Sequence, residues 1–310
     1  MFKKRREVKK MVYHKPALLN ASVEGLAIKP DGRYVDVTFG GGGHSREILK
    51  SLSDEGRLFA FDQDADAAQN AIDDERFVLI PQNFAFLKNF LRYHKAIPVD
   101  GVLADLGVSF HQFDVAERGF SFRFAALLDM RMNQKSEMTA AKVLNTYELE
   151  ALTSLFRDYG ELKNAYKLAE AIVKHREERP LKTIDDLKLA VVEFTPKQME
   201  HKFYAQLFQA IRVEVNDELG ALKKLLEQAL EVLEVGGRLA VITYHSIEDR
   251  LVKNFFRTGN FEGKVEKDFY GKLIRPLEPI NRKPIVPNEE EIKANNRARS
   301  AKLRIAEKAA

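Results

Sequence analysis

Apolar and polar positions change rhythm along this chain in a way that separates its parts. In the first third, four runs rich in β-branched and aromatic residues read as strands: RYVDVT at 33–38, RLFAFD at 57–62, RFVLIP at 76–81 and VDGVLAD at 99–105. Segments with helical spacing lie between them, with Ile48, Leu49 and Leu52 following His44, and ADAAQNAI following the second run. Strands alternating with helices predict a parallel sheet. From about 107 to 130 the period is lost in a long loop bearing aromatic and arginine residues, and loops of that length are commonly functional.

Helical patterns follow at TAAKVLN, at YELEALTSLFRDY ending at Gly160, at NAYKLAEAIVKHREER ending before Pro180, and at TIDDLKLAVVEF, where Thr183 is the expected cap. A further helical stretch from about Gln198 to Leu233, interrupted near Gly220, leads through Gly236 and Gly237 into the strand RLAVITY. A helix is expected from SIEDRLVKNFF with Ser246 as its cap. Pro276, Pro279, Pro284 and Pro287 predict extended chain, and the alternating AKLRIAE predicts an edge strand. This organisation predicts an α/β fold whose sheet domain comes in two parts, 1–112 and 220–310, separated by an inserted loop and helical unit at 113–219.

At 310 residues the chain exceeds the usual size of one hydrophobic core, which agrees with two units. Hydrophobic residues at 45% and charged residues at 31% exclude a disordered or collagenous protein. No apolar run approaches the roughly 18 residues of a membrane helix, and the basic start lacks a signal core, so a soluble cytoplasmic protein with no membrane partner is expected. With no cysteine, disulfides, thiolate metal sites and cysteine nucleophiles are excluded. Charge is unevenly spread: residues 1–10 and 271–310 each carry +5, leaving −6 for residues 11–270 of a net +4. Basic ends on an acidic body suit an acidic polymer such as nucleic acid, or equally a pair of solvated tails.

The sharpest local signal is DVTFGGGGHS, Asp36 to Ser45, between a predicted strand and a predicted helix. Successive glycines let the backbone approach a ligand at a helix N-terminus, a nucleotide position in open α/β sheets, although glycine runs also make tight turns. A dinucleotide fingerprint starting at Gly40 or Gly41 would need glycine at Ser45 or Arg46, and a phosphate loop would need lysine where His44 stands. Asp36 and Asp62 instead suit a ligand with ribose hydroxyls and a positive centre, for which S-adenosylmethionine qualifies; Asp62 could also cap the next helix.

Read together, HKPALLNASVEGL, YVDVTFGGGGHSREIL, FAFDQD, VDGVLADLGVS, ERGFSFRF, LDMRM, FQAIRVEVNDEL, GGRLAVITYHSIEDRLVK and NRARSAKLR resemble the bacterial small-subunit ribosomal RNA (cytosine-N(4))-methyltransferases of the RsmH/MraW type, from about His14 to Lys308. The resemblance implies a Rossmann-like methyltransferase sheet, S-adenosyl-L-methionine as donor, and a cytidine in the decoding region of 16S ribosomal RNA as acceptor, within the small ribosomal subunit. Carried over by motif, Gly42, Gly43, His44, Asp62, Phe84, Asp105 and Gln112 would contact the cofactor, with Asp62 on the ribose and Phe84 beside adenine; Phe84 also fits core packing. The chain departs from the family pattern at Phe110, Ala125, Leu127 and Asn296.

The lone pair of a cytosine amine is conjugated with the ring, so a catalyst must accept hydrogen bonds from that amine to free it for attack. The chain has no Pro-Pro motif for this task. Asp105, aided by Ser109, is the expected amine-facing group, or Asp105 binds the methionine amino group. Tyr244 and His245, at the end of RLAVITY, are the expected contacts to the base. The chemistry needs no metal. A non-catalytic rRNA-binding assembly factor is the alternative function, and the oligomeric state is left open.

Overall fold

The computed structural model describes residues 16–271 and 273–310. Among them, seven strands form one sheet: β1 Arg33–Asp36, β2 Arg57–Phe61, β3 Phe77–Ile80, β4 Val99–Asp105, β5 Leu233–Thr243, β6 Leu277–Pro279 and β7 Lys302–Lys308. Their order is β3-β2-β1-β4-β5-β7-β6. The first five run parallel, and β7 is antiparallel to both β5 and β6. The inner residues of β1 and β4 are buried on both faces, which explains their unbroken apolar runs. Chain order reverses between β1 and β4, so a crevice opens at the carboxyl ends of those strands.

Three local expectations change. ADAAQNAI becomes a short 3-10 turn, Ala65–Asn70, capped by Asp64 and ended where the Asn70 side chain donates to the Gly40 carbonyl. The long helical stretch breaks at Asp217, which takes a left-handed φ of 48°, between helices Glu200–Val215 and Glu218–Val232; Gly220 lies inside the second. AKLRIAE is no edge strand: β5 pairs along one side of it and β6 covers part of the other.

Gly236 and Gly237 form a bulge in β5, where pairing with β4 jumps from Val99 opposite Leu233 to Gly101 opposite Arg238. The helices between Phe120 and Val215 close around their own apolar core, with Leu152, Phe156, Leu168, Ile172 and Leu207 almost fully buried. The sheet packs separately, β4 and β5 against Leu222, Leu225 and Leu226 of helix Glu218–Val232. Among the described residues no helix is long and apolar enough to cross a membrane.

Candidate active site

The glycine loop follows β1 at the mouth of the crevice. Gly40 and Gly42 take positive φ angles of 50° and 75°, and a Cβ on Gly42 would lie 2.8 Å from the Phe39 ring. A Cβ on Gly43 would collide with Pro16. Helix Gly43–Lys50 begins at Gly42 without a side-chain cap, leaving its first N–H groups facing the loop. Asp36 is fully buried and accepts from the Ser45 hydroxyl at 2.6 Å and the Thr38 N–H at 3.1 Å. It therefore ties strand to helix and is not placed for a ligand, contrary to its expected role.

Asp62 stands just past β2, partly exposed, and grips the loop: Oδ2 accepts from the Gly40 N–H at 2.7 Å and Oδ1 from the Asp64 N–H at 2.8 Å. Each oxygen keeps a second lone pair for a ligand hydroxyl. Burial pushes its pKa up to about 6 against the pull of those two N–H bonds, and the charges of Asp64 and Asp36 add to the rise. The capping role considered for Asp62 belongs to Asp64. Phe84 opens the 3-10 turn Phe84–Phe86 after β3, half-buried against the sheet core, and its neighbour Asn83 donates to Gln63 at 2.8 Å across the crevice rim.

Asp105, at the end of β4, has a side chain 19% exposed. Its Oδ1 accepts the Tyr244 hydroxyl at 2.7 Å, its backbone N–H donates to the Thr38 hydroxyl, and its Oδ2 lies 3.7 Å from His44 Nδ1. Burial pushes the Asp105 pKa up to about 7; the Tyr244 bond opposes this, and Asp36 and Glu248 reinforce it. His44 is 4% exposed, and burial drives it down to about 4, so it is neutral at pH 7. Gly107 has a φ of 103°, and a Cβ there would come within 3.3 Å of the Tyr244 ring. The crevice floor thus presents one carboxylate, one phenol and an open strip of main chain.

Ser109 and His245 lie close to this floor but are engaged elsewhere. Ser109 caps helix Phe110–Asp114 in a reciprocal box with Gln112, whose amide also donates to Asp64 at 2.7 Å. His245, not Ser246, is the cap residue of helix Ser246–Thr258, and its Nε2 lies 3.1 Å from Glu248 Oε1. Glu218, His245 and Glu248 bring three possible metal-ligand atoms within 4.8 Å of one another. Arg212, however, forks onto both oxygens of Glu218 at 2.8 and 3.0 Å, which makes the group a buried ion-pair network.

The model of the MraW methylase family matches residues 11–309 of this chain. The chain belongs to that family. Ribosomal RNA small subunit methyltransferase H of Flavobacterium johnsoniae is 60% identical over 298 residues, covering 96% of this chain and 98% of that protein. The proteins of the same name from Parabacteroides distasonis and Bacteroides thetaiotaomicron are 58% and 56% identical, each covering 97% of this chain and 99% of its own length. Among solved structures, an rRNA methylase from Streptococcus thermophilus is 14% identical with a TM-score of 0.41, covering 94% of each chain. By family, then, the protein is a methyltransferase.

Sequence reasoning passed over two groups that organise this methylase crevice. One is Arg118, 6% exposed, which donates to Asp64 at 2.8 Å, to Asp66 at 2.9 Å, and to the carbonyls of Arg131 and Met132. It pins the long loop to the segment after β2. The signal was present in the alternating carboxylates Asp62, Asp64 and Asp66, which need a cation, and in the arginine of ERGFSFRF. The other is the pair Arg212 and Glu218, brought to Glu248, an acidic residue legible beside Tyr244 and His245, from helices that no local pattern connects.

Proposed function

We propose that the protein transfers a methyl group from S-adenosylmethionine to the exocyclic amine of a cytidine in the decoding region of 16S ribosomal RNA, with the small ribosomal subunit as the setting of that RNA. The observation carrying this reading is the placement of Asp62 and Asp105 beside the buried Asp36: burial raises the pKa of all three, and the charge of Asp36 adds to the rise at the other two. The nearby imidazole of His44 is neutral at pH 7 and offers no countercharge. Such a crevice favours a ligand bearing positive charge, and S-adenosylmethionine has a sulfonium and an ammonium without a phosphate. Asp62 would hold its ribose, Phe84 would lie beside its adenine, and Gly42, Gly43 and His44 would line the loop with Gln112 behind. When bound, the donor supplies an electrophilic methyl group.

The residues of the chain prepare the acceptor. Asp105 Oδ1 is taken by Tyr244, leaving Oδ2 to accept an N–H from the amine. As the new C–N bond formed, the methyl–sulfur bond would break with its electron pair leaving on the sulfur, and the proton of the positive amine nitrogen would pass to that Asp105 oxygen. Ser109 and His245 support this arrangement through the loop helix and the strand end instead of touching the amine. The helical unit at 113–219 is assigned to recognition of the ribosomal substrate.

The deciding experiment is mass spectrometry of nucleosides from small-subunit rRNA incubated with the protein and labelled S-adenosylmethionine. Labelled N4-methylcytidine is expected. RNA binding without any methylated cytidine would favour the non-catalytic reading instead. In calorimetry, Asp62→Ala is expected to weaken binding of the demethylated donor by about 1–3 kcal/mol, the range for hydrogen bonds to a charged group. Unchanged affinity would remove Asp62 from the ribose.

The basic C-terminal segment divides into two kinds of arginine. Arg304, 7% exposed, forks onto Asp249 at 2.7 and 3.1 Å and belongs to the fold. Arg297 pairs with Asp114 at 2.5 Å at the surface, and Arg299 is exposed just before β7, beside the end of β5 that carries Tyr244. Replacing Arg297 and Arg299 with Gln is expected to flatten the logarithmic salt dependence of RNA binding by about 0.7 for each phosphate no longer neutralised. Arg304→Gln should instead lower the melting temperature. The basic run Lys3 to Lys10 lies outside the described residues; its deletion is expected to change the slope less. A salt titration in which the deletion has the larger effect would reverse this assignment.

A further inference from the structure

Glu248 is buried where a helix cap would not require it to be. An acidic residue in the first turn of Ser246–Thr258 favours the helix from an exposed position, yet the Glu248 side chain is 3% exposed. Its Oε2 accepts the Tyr244 main-chain N–H at 3.0 Å, and its Oε1 lies 3.1 Å from His245 Nε2. One carboxylate therefore clamps the main chain of Tyr244 and lies against the His245 ring at the junction between β5 and the helix. From that junction the Tyr244 ring reaches across to Asp105, with the bare main chain of Gly107 on one side of it. Arg212, held on Glu218, supplies a positive charge acting on Glu248.

Taking the clamp away would leave the Tyr244 N–H without its acceptor at the strand end and free the junction to shift. The phenol would lose its aim before the fold lost its core, because the helix is also held by Val252, Phe255 and Phe256 within the sheet core.

We propose that Glu248 is a positioning residue for methyl transfer, acting through Tyr244 on Asp105. This rests on the reading that Asp105 and Tyr244 face the amine. Positioned groups lose rate steeply with displacement, by about 10- to 100-fold for shifts near 1 Å.

The test is a double-mutant cycle with Glu248→Ala and Tyr244→Phe, measuring single-turnover methylation of small-subunit rRNA at saturating S-adenosylmethionine. Binding of the demethylated donor is followed by calorimetry alongside. Glu248→Ala, which removes the acceptor of the Tyr244 N–H, is expected to slow the chemical step by about 10- to 100-fold with donor affinity unchanged. The double variant should be no slower than the slower single one, because both changes disable the same interaction. Glu248→Asp, which keeps the charge and shortens the reach, should also be slow; it replaces Glu248→Ala in the cycle if the latter does not fold. A normal rate in a folded Glu248 variant, or independent multiplying losses in the double variant, would overturn the proposal. If the wild-type protein itself methylates no cytidine, the functional reading falls and this inference with it.

Discussion

Asp105→Asn is expected to slow methyl transfer by roughly 10²- to 10³-fold, the scale for removing one group prearranged toward developing charge. Asparagine preserves the size of the side chain and its carbonyl can still accept from Tyr244. It cannot take the proton that leaves the amine. The pH dependence supplies the sharper signature. The wild-type carboxyl must be ionised to accept, and burial places its pKa at about 7, so kcat/KM should rise with pH through about 7 and level off above it. A positive donor bound nearby favours the ionised form, which should move the same limb to lower pH in kcat. Neither limb should remain in the asparagine variant.

Stability should run the other way. Because the folded-state pKa is raised, the protonated form is favoured by folding, and that contribution, complete below the ordinary carboxyl pKa of 3.8, is lost as pH rises through about 7. At pH 8 the asparagine variant should therefore melt no lower than the wild type. A pH profile flat between 6 and 8 in the wild type, or near-normal turnover in the variant, would remove Asp105 from proton transfer.

What could be read from the chain depended on how local each feature is. β1, β2 and β4 announce themselves because strands buried on both faces leave continuous apolar runs, and the glycine loop because positive φ angles at Gly40 and Gly42 demand that residue. Asp62 and Asp105 were legible as the last polar positions on apolar runs that must end at the sheet's open edge. The role of Asp36 was not: its position matches theirs, but Ser45, nine residues on, turns back to cover it. The β7 run alternates as an edge strand would, and nothing local says that residues 277–279 return to cover its far side. The break at Asp217 was missed for a related reason. A left-handed φ is cheap for Gly220, but the turn falls where Asn216 is held by bonds to Met130 and Met132, so tertiary contact chose the site.

That same dependence on distant partners makes Arg118 the residue whose loss should most affect the fold around the crevice. Its guanidinium is nearly buried between Asp64 and Asp66 on one side and two carbonyls of the loop on the other. Arg118→Ala would leave the Asp64 carboxylate, 6% exposed, with Gln112 and the Asp66 N–H but without its countercharge. Breaking one side of a buried pair costs about 3–5 kcal/mol, more than the pair itself contributes, because the abandoned charge stays desolvated. Arg118→Ala should therefore lower the urea midpoint markedly, and Arg118→Lys should fall between it and the wild type, since an ammonium cannot bridge both carboxylates and both carbonyls in one plane. Adding Asp64→Asn to Arg118→Ala should recover part of the loss by removing the unpaired charge. Donor affinity should fall too, because the Asp64 N–H helps aim Asp62. An Arg118→Ala variant within about 1 kcal/mol of wild-type stability, the ordinary effect of an exposed ion pair, would mean that the loop is held by its apolar contacts through Phe120 and Leu128 alone.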